Sequence, residues 1–156
     1  MAHYRTHIST LMPRDQAFSL LSRFDRAAEW DPGVDAGTML TPEPVGPGSR
    51  FALRARFCGR SLPLEYEVTE FESGSQLTLR AENPFVRSID TISFTSAAPA
   101  TPTAGDPQGT DVTYDARLEP KGLMRLAAPL LAIAFRRIGD RAASGLHAFL
   151  QSPVRR

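Results

Sequence analysis

The stretch "VRSIDTISF", residues 86 to 94, puts a carboxyl and a hydroxyl where the pattern calls for apolar side chains. Val86, Ile92 and Phe94 mark the even positions as the inward face of a strand, and the same alternation aims Ser88 and Asp90 inward with them. A carboxyl group among apolar walls keeps its proton to higher pH than one in water, which suits a general acid or base. The sequence alone favours a plainer alternative, a β-bulge that turns Asp90 to solvent or to a turn donor. Tyr66 and Tyr114 fall on the dry faces of their own strands, where a phenol packs its ring and donates one hydrogen bond. Each is read either as core with its hydroxyl satisfied, the simpler reading, or as a group that orients a ligand. In an enzyme, Asp90, Tyr66 and Tyr114 would serve as acid, base and orienting groups.

Other chemistries leave no trace. There is no G-x-G-x-x-G, P-loop, G-x-S-x-G, H-E-x-x-H or paired C-x-x-C, so no cofactor is expected. His3, His7 and His147 lie at opposite chain ends without ligand spacing, and His3 and His7 share the wetter face of the first strand with Arg5; they are read as surface residues, with no metal. Cys58, the one cysteine, has no internal disulfide partner and sits on a wet face beside a turn, as an unreactive thiol. With 18 basic and 17 acidic residues the net charge is +1, which supplies no field for nucleic acid or an anionic membrane. The opening "MAHYRTHISTLMPRDQ" has no apolar h-region, so a cytoplasmic protein is expected.

The elements that must position these groups follow from periodicity. A composition of 42% hydrophobic and 22% charged residues is that of an ordinary globular chain, read as one domain over residues 1–156. "HYRTHIS", residues 3–9, alternates as a first strand, with Tyr4, Thr6 and Ile8 on its drier face. Pro13 opens two short helices, broken near Ser22 to Asp25 and stopped by Asp31 and Pro32. From Val34 to Pro120 the chain is an antiparallel meander cut by turn signals, and "AAPATPTAGDPQGT" reads as a mobile hairpin loop without site chemistry. Arginines on the wet face of the third strand and glutamates on that of the fourth suit cross-strand pairing at the surface.

A terminal helix begins at Gly122. Its second half is amphipathic and packs on the sheet, but Leu123 to Phe135, "LMRLAAPLLAIAF", is apolar nearly all round, and Pro129 is expected to bend it. The run is too short to span a bilayer, so no stable membrane insertion is expected. Its cover is one of three: the short helices around Phe18 to Trp30, a second subunit, or an enclosed lipophilic ligand. Monomer and homodimer both remain open.

The order strand, two short helices, six strands and a long helix, with "AFSLLSRFDRAAEWDPGV", "GSRFALRARF" and "TYDARLEPKG", resembles the START-like, or SRPBCC, superfamily, in its polyketide cyclase/dehydrase and lipid transport branch. The resemblance implies an α+β helix-grip fold, in which a curved seven-stranded antiparallel sheet wraps a long C-terminal helix and leaves an apolar cavity. It implies a small lipophilic ligand, lipid, quinone or polyketide-like, lined by Phe51, Leu53, Tyr66, Ser88, Tyr114, Leu126 and Leu130. Trp30 is then a wall or lid, or a core tryptophan. The function expected is binding or carriage of that ligand; the alternatives are a cofactor-independent cyclase or dehydratase, and a helix face that meets a subunit or a membrane.

Overall fold

Alternating residues pair where both neighbours alternate in phase, and the chain builds one sheet on that rule. The structure, a computed structural model, describes residues 1–97 and 108–152. Its strands are β1 (Ala2–Thr10), β2 (Val34–Met39), β3 (Arg50–Phe57), β4 (Arg60–Glu72), β5 (Gln76–Glu82), β6 (Val86–Ser96) and β7 (Thr110–Pro120). They form a seven-stranded antiparallel sheet in the order β1-β7-β6-β5-β4-β3-β2, so the first strand closes against the last. The proline-rich stretch read as a hairpin loop falls largely at residues 98–107, outside the described residues.

Register shifts in β2, between Val34 and Ala36, and in β4, between Val68 and Glu70, set two irregularities in one half of the sheet. Such shifts bend and twist a strand, which makes the sheet concave. Helix α1 (Arg14–Ser22), a 3₁₀ helix (Phe24–Glu29) and helix α2 (Ala128–Gln151) pack on that concave side, giving the helix-grip arrangement. Phe18 of α1 meets Phe71 and Phe94 edge-on, with ring centroids 5.5 and 5.2 Å apart. Leu146 and Leu150 anchor the far end of α2 in the same core. Hydroxyls tie the ends together: Thr10 donates to the Leu150 carbonyl at 2.8 Å and Thr110 to that of Met12 at 2.7 Å. Gly145 on α2 is required by closeness, since a Cβ there would overlap the carbonyl oxygen of Trp30.

The start of the terminal helix differs from expectation. Gly122–Ala127 is a separate 3₁₀ helix, and α2 begins at Ala128, which leaves Pro129 in the first α-helical turn. A backbone N–H has no intrahelical partner at that point, so the proline removes nothing and the expected bend does not arise. Nor is the apolar run covered on all sides among the described residues: Leu123, Leu126, Leu130 and Ile133 are exposed, while Leu131 is buried. A helix start that lies over a cavity mouth buries only the stripe turned toward it.

On the convex face, Arg50 pairs with Glu65 across β3 and β4, as the charge pattern predicts. Asp115 lies on this face too. It is buried beneath His3, Arg5 and Arg117, at 2.8, 2.7 and 3.2 Å. Burial pushes its carboxyl up, but His3 and Arg5 outweigh it and hold the group below the ordinary range.

Candidate functional site

Between the concave sheet, the Phe24–Glu29 helix and α2 lies a cavity of about 630 Å³. Leu53, Leu62 and Leu64 from the sheet and Met124, Leu131 and Phe135 from the helical side give it apolar walls. Four polar side chains gather on its sheet side: Tyr66 from β4, Ser88 and Asp90 from β6, and Tyr114 from β7.

Asp90 is brought there by an unbroken ladder. It pairs with Leu79 on one side and Ala116 on the other, and β6 keeps register with both neighbours along its length. The bulge that the sequence alone favours is therefore absent from this strand, and alternation carries Asp90 inward, where it is 5% exposed. A bulge needs an extra residue on one strand, and neither β5 nor β7 leaves one unmatched here.

The hydroxyls form a directed chain. Tyr66 donates to Ser88 at 3.2 Å, Ser88 donates to one oxygen of Asp90 at 3.1 Å, and Tyr114 donates to the other at 3.2 Å. Rings hold the phenols in place: Phe24 meets Tyr66 edge-on at 5.1 Å, and Trp30 meets Tyr114 edge-on at 5.7 Å. Asp31, half-buried at the cavity wall, accepts the Gly33 N–H at 2.7 Å.

Burial raises the Asp90 carboxyl to about 6, against the pull of the Ser88, Tyr66 and Tyr114 hydroxyls that face it; the charge of Asp31 adds to the rise. Burial and the Asp90 charge push both phenols well above their ordinary value, so they stay protonated and act as donors. Burial also raises Asp31, with the Gly33 N–H opposing it. The cluster thus holds one group that takes up or gives a proton near neutral pH, flanked by two that orient.

Of the residues singled out from sequence, Trp30, Leu53, Tyr66, Ser88, Asp90, Tyr114 and Leu130 meet at the cavity. Two do not. Phe51 is fully buried against Phe24, with centroids 6.4 Å apart, and belongs to the packed core behind the wall. Leu126 is 84% exposed and turns away, because the 3₁₀ pitch of Gly122–Ala127 directs Met124 and Ala127 to the cavity in its stead. Phe24 and Asp31 at the cavity wall, and Arg56 and Arg60 beside the β3–β4 turn, were missed. For Asp31 and the two arginines the signal was present in "EWDPG" and "RFCGRS", which read only as a helix stop and a turn, while Phe24 read only as an apolar helix position. No cluster of three or more potential metal ligands occurs among the described residues, and none of their helices is long and apolar enough to cross a membrane.

Comparison with known proteins agrees with this architecture. No curated protein matches the sequence. A START superfamily protein from Mycobacterium smegmatis superposes with a TM-score of 0.75 at 15% identity, covering 96% of this chain and 97% of that one. The Zhui aromatase/cyclase from Streptomyces sp. R1128 superposes with a TM-score of 0.67 at 13% identity, covering 95% and 92%. A protein from Thermus thermophilus gives 0.73 at 16% identity, covering 95% and 96%. At these identities the likeness is one of fold. The sequence model described as "Polyketide cyclase / dehydrase and lipid transport" matches residues 1–151, and the chain therefore belongs to that family.

Proposed function

We propose that this chain binds and carries a small hydrophobic molecule, lipid, quinone or polyketide-like, in the cavity between sheet and α2. The observation that supports this is the cavity itself: about 630 Å³, walled by apolar side chains, with a few polar groups drawn together. Ligand sites for small molecules have this volume and this division of labour. A thermal-shift panel of fatty acids, long-chain alcohols, sterols, quinones and aromatic polyketides is expected to raise the melting temperature, and to raise it further as the ligand concentration increases. If no lipophile shifts it at saturating concentration, the reading fails.

A second reading is favoured by Asp90 in particular. Its carboxyl, raised to about 6 and hydrogen-bonded by Ser88 and Tyr114, is suited to take a proton from a carbon between two carbonyls and return it elsewhere. That is the work of a cyclase or dehydratase, with Tyr66, through Ser88, and Tyr114 holding the carboxyl in place. Incubation with a linear poly-β-ketone thioester is then expected to yield ring products visible by mass spectrometry. Asp90→Asn should lower their rate by about a hundredfold or more, the usual worth of a positioned acid or base; an unchanged rate removes Asp90 from the chemistry.

A further inference from the structure

The hydrogen-bond chain around Asp90 has a direction, and the direction constrains what binds there. An ionised carboxylate only accepts, so the Ser88 and Tyr114 hydroxyls must both point their protons at Asp90. Ser88 has one proton and has given it away, so Tyr66 must donate to Ser88 in turn. Every hydroxyl proton of the cluster is then committed inside the protein. What remains facing the cavity is lone pairs, on Asp90, on Tyr66 and on Tyr114.

Cations are far from this cluster. The arginines that line the cavity, among the described residues, are Arg56 and Arg60. Arg60 lies six residues before Tyr66 on the same strand, about 20 Å away at the rise of an extended chain. Arg56, opposite the β4 start, pairs with Asp35 at 3.0 Å. The groups that face Asp90 are Tyr66 from β4, Ser88 from its own strand, Tyr114 from β7 and the second carboxyl, Asp31, from the segment before β2. A ligand carboxylate placed here would meet negative charge and oriented lone pairs with no compensating cation, beside an Asp90 that is itself only 5% exposed.

We propose that the Asp90 cluster is an acceptor-only subsite, which selects a lipophile carrying a hydroxyl over one carrying a carboxylate or a lone carbonyl. This deepens the ligand-binding reading and rests on it. A hydroxyl supplies the one thing the cluster lacks, a proton to donate, and it does so to a charged acceptor, the stronger kind of hydrogen bond. A carbonyl supplies another lone pair and leaves the acceptors unmatched. The preference depends on the ionised state of Asp90. Below about pH 6 the carboxyl gains a proton and with it a donor, and the distinction between hydroxyl and carbonyl narrows.

The test uses four fluorescent probes with one skeleton: pyrene, pyrenemethanol, pyrenecarboxaldehyde and pyrenecarboxylate, titrated into the whole chain at pH about 8, where an Asp90 titrating near 6 is ionised. Pyrenemethanol is expected to bind about tenfold tighter than the other three, the worth of a hydrogen bond to a charged group. In the unmutated protein at pH about 5 the aldehyde should close most of that gap. Asp90→Asn should close it at either pH, because the amide offers an N–H as well as an oxygen. Equal binding of all four, or tightest binding of the carboxylate, overturns the inference and leaves the ligand-binding reading standing. No binding of any probe, together with a flat thermal-shift panel, overturns both. The pH comparison needs no variant, so a misfolded Asp90→Asn protein does not protect the proposal.

Discussion

Asp90→Asn should stabilise the protein at neutral pH and flatten its stability profile between pH about 4 and about 7. The reason is a sign argument. The carboxyl is raised in the folded state from the ordinary 3.8 to about 6, so the unfolded chain gives up this proton more readily than the folded one. Stability from this group is therefore full below the unfolded value and is lost as pH rises through the folded one. The gap of about two pH units corresponds to about 3 kcal/mol at neutral pH, and asparagine, with nothing to ionise, escapes most of it. Asp115, which is shifted the opposite way beneath His3 and Arg5, contributes equally to both proteins and cancels in the difference. Urea denaturation of both proteins across this pH range measures it. Parallel profiles would mean that Asp90 is solvated or protonated throughout, and would remove the physical basis for its role in the site. A difference of the expected size would show a residue that weakens the fold where an amide would not, as groups retained for binding or chemistry commonly do.

Phe51→Ala should cost about 3–5 kcal/mol, the range for truncating a fully enclosed aromatic ring. Leu126→Ala, at an 84% exposed position, should stay within about 0.5 kcal/mol of the parent. The contrast is informative because both residues look alike in sequence, as apolar candidates for the ligand wall. Phe51 supports Phe24, and Phe24 supports Tyr66, so the cavity left by the truncation lies one ring behind the phenol. Ligand affinity should fall along with stability, since Phe24, the ring that fixes the orientation of Tyr66, loses its own support. Denaturant midpoints for the two variants decide the matter. Near-equal losses would mean that Phe51 is not enclosed or that Leu126 is covered.

The fold was legible because its signals are local. Alternation in β3, β4, β6 and β7, the break near Ser22 to Asp25, and the amphipathic second half of α2 each depend on a few consecutive residues. The inward phase of Ser88, Tyr66 and Tyr114 came from the same period of two; for Asp90 the period offered the inward direction, but a bulge was the favoured reading. The sequence was less good at depth. Phe51 and Leu53 share a face of β3, yet one is enclosed by Phe24 and the other meets the cavity, and nothing within the strand distinguishes them.

By itself, then, the sequence determined in what order the elements run and how side chains alternate between the two faces of each strand, since that alternation is a property of the chain's own geometry. Only the tertiary structure decided that β6 runs without a bulge, that Pro129 falls in a first turn, that Asp31 joins the wall beside Asp90, and that three hydroxyls, two in series and one alone, converge on one carboxylate. Each of these depends on register between strands far apart in sequence or on where a helix starts against the sheet, and such distances are set by packing of the whole chain.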